Sequence, residues 1–141
     1  MEAYLLYLLI LCTSQSDYDV LEFNFTCKNT EDIYHLQKVK PHLLTVFSDI
    51  VGWCQDNELP LVITRIIDER IEGVSVSDTH GQGRALDLSV RGWTLVDINK
   101  FVMHFNTKYV KLGAISYSDG LSRVAVFHNG TAWHLHIQVR P

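Results

Sequence analysis

Between residues 41 and 57, in PHLLTVFSDIVGWCQDN, apolar positions recur at helical spacing. Leu43, Leu44, Phe47, Ile50, Val51 and Cys54 fall on one stripe, and Pro41 suits a first helical turn. LPLVITRI, ending at Ile66, is rich in β-branched residues and predicts a strand with Arg65 near its end. In ALDLSV the period changes to two: Leu86, Leu88 and Val90 point one way, Ala85, Asp87 and Ser89 the other, as in a half-buried strand. TLVDINKFVMHFN predicts a second helix, with Thr94 as N-cap, Asp97 completing a capping box and a stripe of Leu95, Ile98, Phe101, Val102 and Phe105. LSRVAVFHNGTAWHLHIQV predicts a hairpin turning at Asn129-Gly130. Its second strand places Trp133, Leu135, Ile137 and Val139 on the core face and His134, His136, Gln138 and Arg140 on the other. The order helix, strand, loop, strand, helix, hairpin predicts an α+β domain: a small antiparallel sheet with helices packed on one face and the other face left for a polar site.

A chain of 141 residues, 47% of them hydrophobic, holds one core and not two. Residues 18–141 are read as that single domain. The apolar run YLLYLLILC, at positions 4–12, belongs to a separate segment, 1–17. This run is too short to span a bilayer. It is either an element that packs on the domain or on a partner, or an export or anchor signal. Membrane contact is expected only in the second case. A net charge of -4 with no basic stripe excludes nucleic acid as a partner. Cys12, Cys27 and Cys54 lack metal-binding spacing and suggest free thiols or at most one incidental bridge.

The polar positions carry the chemistry. THGQGRALDLSV puts His80 in a glycine-containing turn and Asp87 on the polar face of the strand it feeds. Taken alone, the pair fits a metal site or an ordinary ion pair. His134 and His136 project from one strand face, where a core has no use for imidazoles. Two imidazoles beside a carboxylate suit zinc, and three ligands leave a fourth position open, as catalytic sites do.

HGQGRALD followed by HLH resembles the zinc D-Ala-D-Ala peptidase family, which includes D-Ala-D-Ala carboxypeptidases, phage L-alanyl-D-glutamate endopeptidases and the hedgehog signalling domain. The resemblance covers residues 60 to 141. It implies that His80, Asp87 and His136 hold a zinc ion (Zn2+), that His134 polarises or positions the scissile carbonyl, and that Arg65 clamps a substrate carboxylate. Arg65 could equally pair with Asp68 or Glu69 on the surface. Gly83 and Ala85 would let backbone pass close to the metal shell, and Arg84 would point to solvent or join a structural ion pair.

The chain departs from the family pattern in two places. Asp78 stands where a serine is usual, and Trp133 stands where many members place an acidic general base. A base would then come from His128, His134, Asp119 or Asp78. The implied activity is hydrolysis of amide bonds in peptidoglycan stem peptides, by an enzyme of phage or bacterial type that acts on a cell wall and is expected to be a monomer. A zinc-binding structural or cell-wall-binding module without turnover is the competing class, and a secreted domain with a metal-scavenging histidine face is a third.

Overall fold

A computed structural model describes residues 25–29, 32–66, 78–115 and 119–141. The apolar run at 4–12, Cys12, and the proposed Arg65 partners Asp68 and Glu69 lie outside them. In chain order the elements are β1 (Thr26–Cys27), α1 (Asp32–His35), a 3-10 turn (Leu36–Lys38), α2 (Pro41–Asp56), β2 (Val62–Arg65) and α3 (Asp78–Gly81). They continue with β3 (Ala85–Ser89), α4 (Leu95–Lys108), β4 (Ala114–Ile115), β5 (Ser122–Arg123), β6 (Ala125–Asn129) and β7 (Trp133–Gln138).

The α+β expectation holds. Five strands form one sheet in the order β1-β2-β3-β7-β6, and β4 and β5 make a separate ribbon. The sheet is mixed rather than purely antiparallel, because β1 runs parallel to β2. Both long helices contribute to one core with the apolar faces of β3 and β7: Leu43, Phe47 and Ile50 from α2, Ile98, Phe101 and Phe105 from α4, and Leu86, Leu88, Leu135 and Ile137 from the sheet. Trp53 joins the two helices, packing edge-on to Phe101 at 5.2 Å and against Trp93 at 6.1 Å. Among the described residues no helix is long and apolar enough to cross a membrane.

Helix ends follow local chemistry. Pro41 opens α2, and Thr94 and Asp97 exchange both bonds of a capping box at the start of α4. Three expectations are corrected. Leu95, placed on the α4 stripe, is 68% exposed, because its first-turn position lies beyond the reach of the sheet. Asn129 is still paired, opposite Trp133, so the hairpin loop is the three residues Gly130 to Ala132 and not Asn129-Gly130. Trp133 has the parity of Leu135 but is 56% exposed at the hairpin tip, past the end of the core, where its ring stacks on Phe127 at 4.8 Å.

Candidate metal centre

β3 and β7 pair with Asp87 opposite His136 and Ser89 opposite His134, so strict alternation turns these four side chains to the face away from the helices. β6 extends the row, with His128 opposite His134. β2 enters it by an irregularity. Ile63 faces Leu88 and Arg65 faces Asp87, which leaves one extra residue in β2. Unbroken alternation would put Arg65 on the core face with Ile63. The bulge instead brings Thr64 and Arg65 together to the polar cleft and returns Ile66 to the core.

α3 carries the remaining group. Its turn is closed by bonds from Gly83 N to His80 O at 3.1 Å and from Arg84 N to Thr79 O at 2.7 Å, which aim His80 back over β3. His80 Nδ1–H donates to the Ile66 carbonyl at 2.7 Å. A neutral His80 therefore presents the lone pair of Nε2 to Asp87 Oδ1, 3.3 Å away. Two electron-rich atoms at that distance call for a cation or a proton between them. His136 Nδ1 approaches the same carboxylate oxygen to 2.8 Å, and the His80 and His136 rings lie 5.0 Å apart.

His80, Asp87 and His136 thus form a group whose donor atoms all fall within 4.8 Å of one another and which could hold a metal ion. Asp87 is 5% exposed although it sits on a strand expected to be half-buried; β3 is central and its polar face is covered as well. Burial alone would raise the Asp87 pKa. Hydrogen bonds from His136 and His80, together with their charge, overcome it and hold the carboxyl well below the usual carboxylate range. An ionised carboxylate and two imidazoles are a donor set suited to a divalent first-row metal.

His134 stands next to this group. Its Nδ1–H donates to the Ala132 carbonyl at 2.8 Å, and its Nε2 lies 3.9 Å from Asp87 Oδ1. The His128 ring packs 4.2 Å from that of His134. Burial, then the neighbouring His134 and His136, push the His128 pKa down against the pull of Asp87. His80, Asp87, His128, His134 and His136, with Thr64, Arg65 and Ser89, line an open cleft of about 1380 Å³.

No family model, curated protein or solved structure matches this chain.

Several sequence expectations change. Asp119 does not serve the cleft: both its oxygens bind the Arg123 guanidinium, at 2.9 and 2.7 Å. The Asp78 side chain lies outside the described residues. Arg84 does not reach solvent, and among the described residues it pairs with no acid. It is buried at 7% exposure, donating from Nη1 to Val139 O and from Nε to Gln82 Oε1, each at 2.6 Å. Since Arg84 O also accepts from Val139 N at 2.9 Å, this residue ties the start of β3 to the end of β7 beside the site. Gly83 serves a different neighbour from the metal shell: it has φ 66°, and an added Cβ would lie 2.8 Å from the Lys38 carbonyl. Ala85 is fully buried on the Asp87 side of β3. Cys27 and Cys54 are free; burial, with Asp32 for Cys27, pushes their thiols up to about 11 and 12, so neither ionises at neutral pH. Sequence reasoning missed Thr64, Lys28 and Arg91 on the cleft wall. The one available signal was Ile63 and Ile66 at odd spacing, which breaks the strand period and marks the bulge.

Proposed function

We propose that this chain is a zinc-dependent peptidase hydrolysing amide bonds of peptidoglycan stem peptides. The observation that carries the reading is the convergence of His80 Nε2, His136 Nδ1 and Asp87 on one point of an open cleft, with a further imidazole, His134, beside it. The donor set fits zinc, with three protein ligands as in catalytic sites. When bound, zinc supplies Lewis acidity toward a carbonyl and lowers the pKa of water.

The chain's own residues supply the rest. With Nδ1–H committed to the Ala132 carbonyl, a neutral His134 holds an acceptor at Nε2, facing the cleft. There it takes the proton from attacking water; once protonated, the same N–H donates to the developing oxyanion or returns the proton to the leaving amine. His128 crowds His134 from the next strand and is the alternative base. Arg65, brought to the cleft by the bulge, holds a substrate carboxylate with its planar fork.

One observation favours a second reading, a zinc-binding cell-wall module with no turnover. Among the described residues lining the cleft, Asp87 is the single carboxylate, and it belongs to the metal group. Incubating the zinc-loaded protein with purified stem peptides and with whole peptidoglycan tests both. New amino termini that a chelator abolishes support the peptidase. Binding to cell wall without any cleavage supports the module.

A further inference from the structure

The chain carries a net charge of -4, yet the cleft wall reverses that sign. Lys28, Arg65 and Arg91 line it, against the one carboxylate of Asp87, which the imidazoles already engage. Lys28 and Arg91 are exposed, and among the described residues no carboxylate pairs with either. Their positions follow from the sheet. Lys28 leaves β1 with its N–H bonded to Ile63 O, so it stands at the edge of the sheet level with Thr64 and Arg65. Arg91 follows β3, which runs the opposite way, and stands in the turn beyond Ser89. With ~3.3 Å per residue along a strand and ~4.8 Å between strands, the two are separated by roughly 15 Å across the cleft, with Ser89 and His134 between their levels and the metal group level with the Lys28 and Arg65 end.

We infer that the cleft selects an extended acidic peptide, with one carboxylate at the Lys28 and Arg65 end and another at the Arg91 end. This deepens the proposed function and rests on its peptide-binding part, not on turnover. A span of roughly 15 Å matches four to five extended residues at ~3.3 Å each, the reach of a short stem peptide. Cations on a cleft wall concentrate the field inside it, so an acidic peptide is drawn in although the molecule as a whole is negative. Burial of Asp87 within the metal group keeps the only carboxylate on the described wall from opposing it.

Binding of two blocked pentapeptides tests the inference: one with glutamate at both ends, the other with glutamine in those places. Fluorescence anisotropy on the full chain, zinc-loaded and chelator-treated, reads affinity without needing cleavage. The glutamate peptide is expected to bind more tightly, and more weakly as salt rises. Lys28→Gln and Arg91→Gln should each weaken it about two- to five-fold, as removal of one exposed charge pair does, with little effect on the glutamine peptide. Lys111→Gln, an exposed cation outside the cleft, should change neither. Equal affinity for the two peptides, or indifference to both cleft variants, overturns the inference. Stem-peptide cleavage with that indifference leaves the peptidase standing without it; charge-selective binding with no cleavage does the reverse.

Discussion

Asp87 sits where the centre is most sensitive to single atoms. It is buried, ionised and approached by both His80 and His136, so replacing it removes one of the three candidate ligands and leaves two imidazoles facing each other. His80→Ala, Asp87→Ala and His136→Ala should each lose the metal, while His35→Ala and His42→Ala, outside the group, keep it. Metal analysis of the purified variants decides this, and full occupancy in a His80→Ala, His136→Ala double variant would overturn the ligand assignment. His134→Ala should separate binding from chemistry: metal content stays near that of the parent, and turnover on a stem peptide falls about 10²- to 10⁴-fold if His134 is the general base. The same cut with His128→Ala, and none with His134→Ala, would move the base to β6. Gly83 is a residue of a different kind. A side chain there combines a left-handed backbone with a 2.8 Å approach to the Lys38 carbonyl. Gly83→Ala should destabilise the fold by ~1–3 kcal/mol, read in a denaturant titration, and a neutral result would mean that the 38–39 segment yields easily.

At the scale of elements, α4 depends on its first turn. Thr94 Oγ1 accepts from Asp97 N at 3.2 Å and Asp97 Oδ2 accepts from Thr94 N at 2.8 Å, so Thr94→Ala should cost ~1 kcal/mol of stability. The side-chain and backbone hydrogen bonds from Thr94 lower the Asp97 pKa. A carboxyl whose folded pKa lies below its unfolded value of ~3.9 contributes stability above that value and loses it as pH falls through the folded pKa. The melting-temperature gap between the parent and Asp97→Asn should accordingly be constant from pH 8 to 5 and narrow below ~4; a gap unchanged at pH 2 would show that the charge plays no part. This cap was legible in the sequence because it is local, as were the α2 stripe and the alternation of β3 and β7. The alternation placed Asp87 and His136 each on the polar face of its strand, whereas His80, in a turn outside that period, joined them only through the resemblance of HGQGRALD and HLH to a zinc peptidase motif. What stayed hidden depends on distant partners. β1 is a two-residue strand defined only by its pairing with Val62 and Ile63, β4 and β5 define each other, and the side to which Arg65 turns is set by a bulge against β3. Arg84 was misplaced for the same reason: its acceptor is the Val139 carbonyl, at the far end of the chain.

For the whole molecule, the strand order would make binding of a metal at this group and folding one equilibrium. β7 follows every other described strand in sequence but lies inside the sheet, between β3 and β6, and it carries His136. His80 and Asp87 come from α3 and β3, so an ion held by the three clips the end of the chain to its middle. An unfolded chain does not hold these donors together, and a ligand bound only by the folded state stabilises it by RT ln(1 + [L]/Kd), ~2.7 kcal/mol at a hundredfold excess over Kd. For a domain of this size that corresponds to a melting temperature higher by roughly 10 °C. Adding zinc to chelator-treated protein should therefore raise the melting temperature by about this amount, in a concentration-dependent way. The rise should vanish in His136→Ala. That variant, once chelated, should melt below the chelated parent, because it also loses the hydrogen bond that His136 gives the buried Asp87 carboxylate. Arg84→Gln provides the contrast. It removes a guanidinium bond that ties β3 to β7 without touching the donor atoms, so it should lower the melting temperature with and without zinc alike. A zinc-dependent rise that survives in His136→Ala would show that the stabilising ion binds elsewhere.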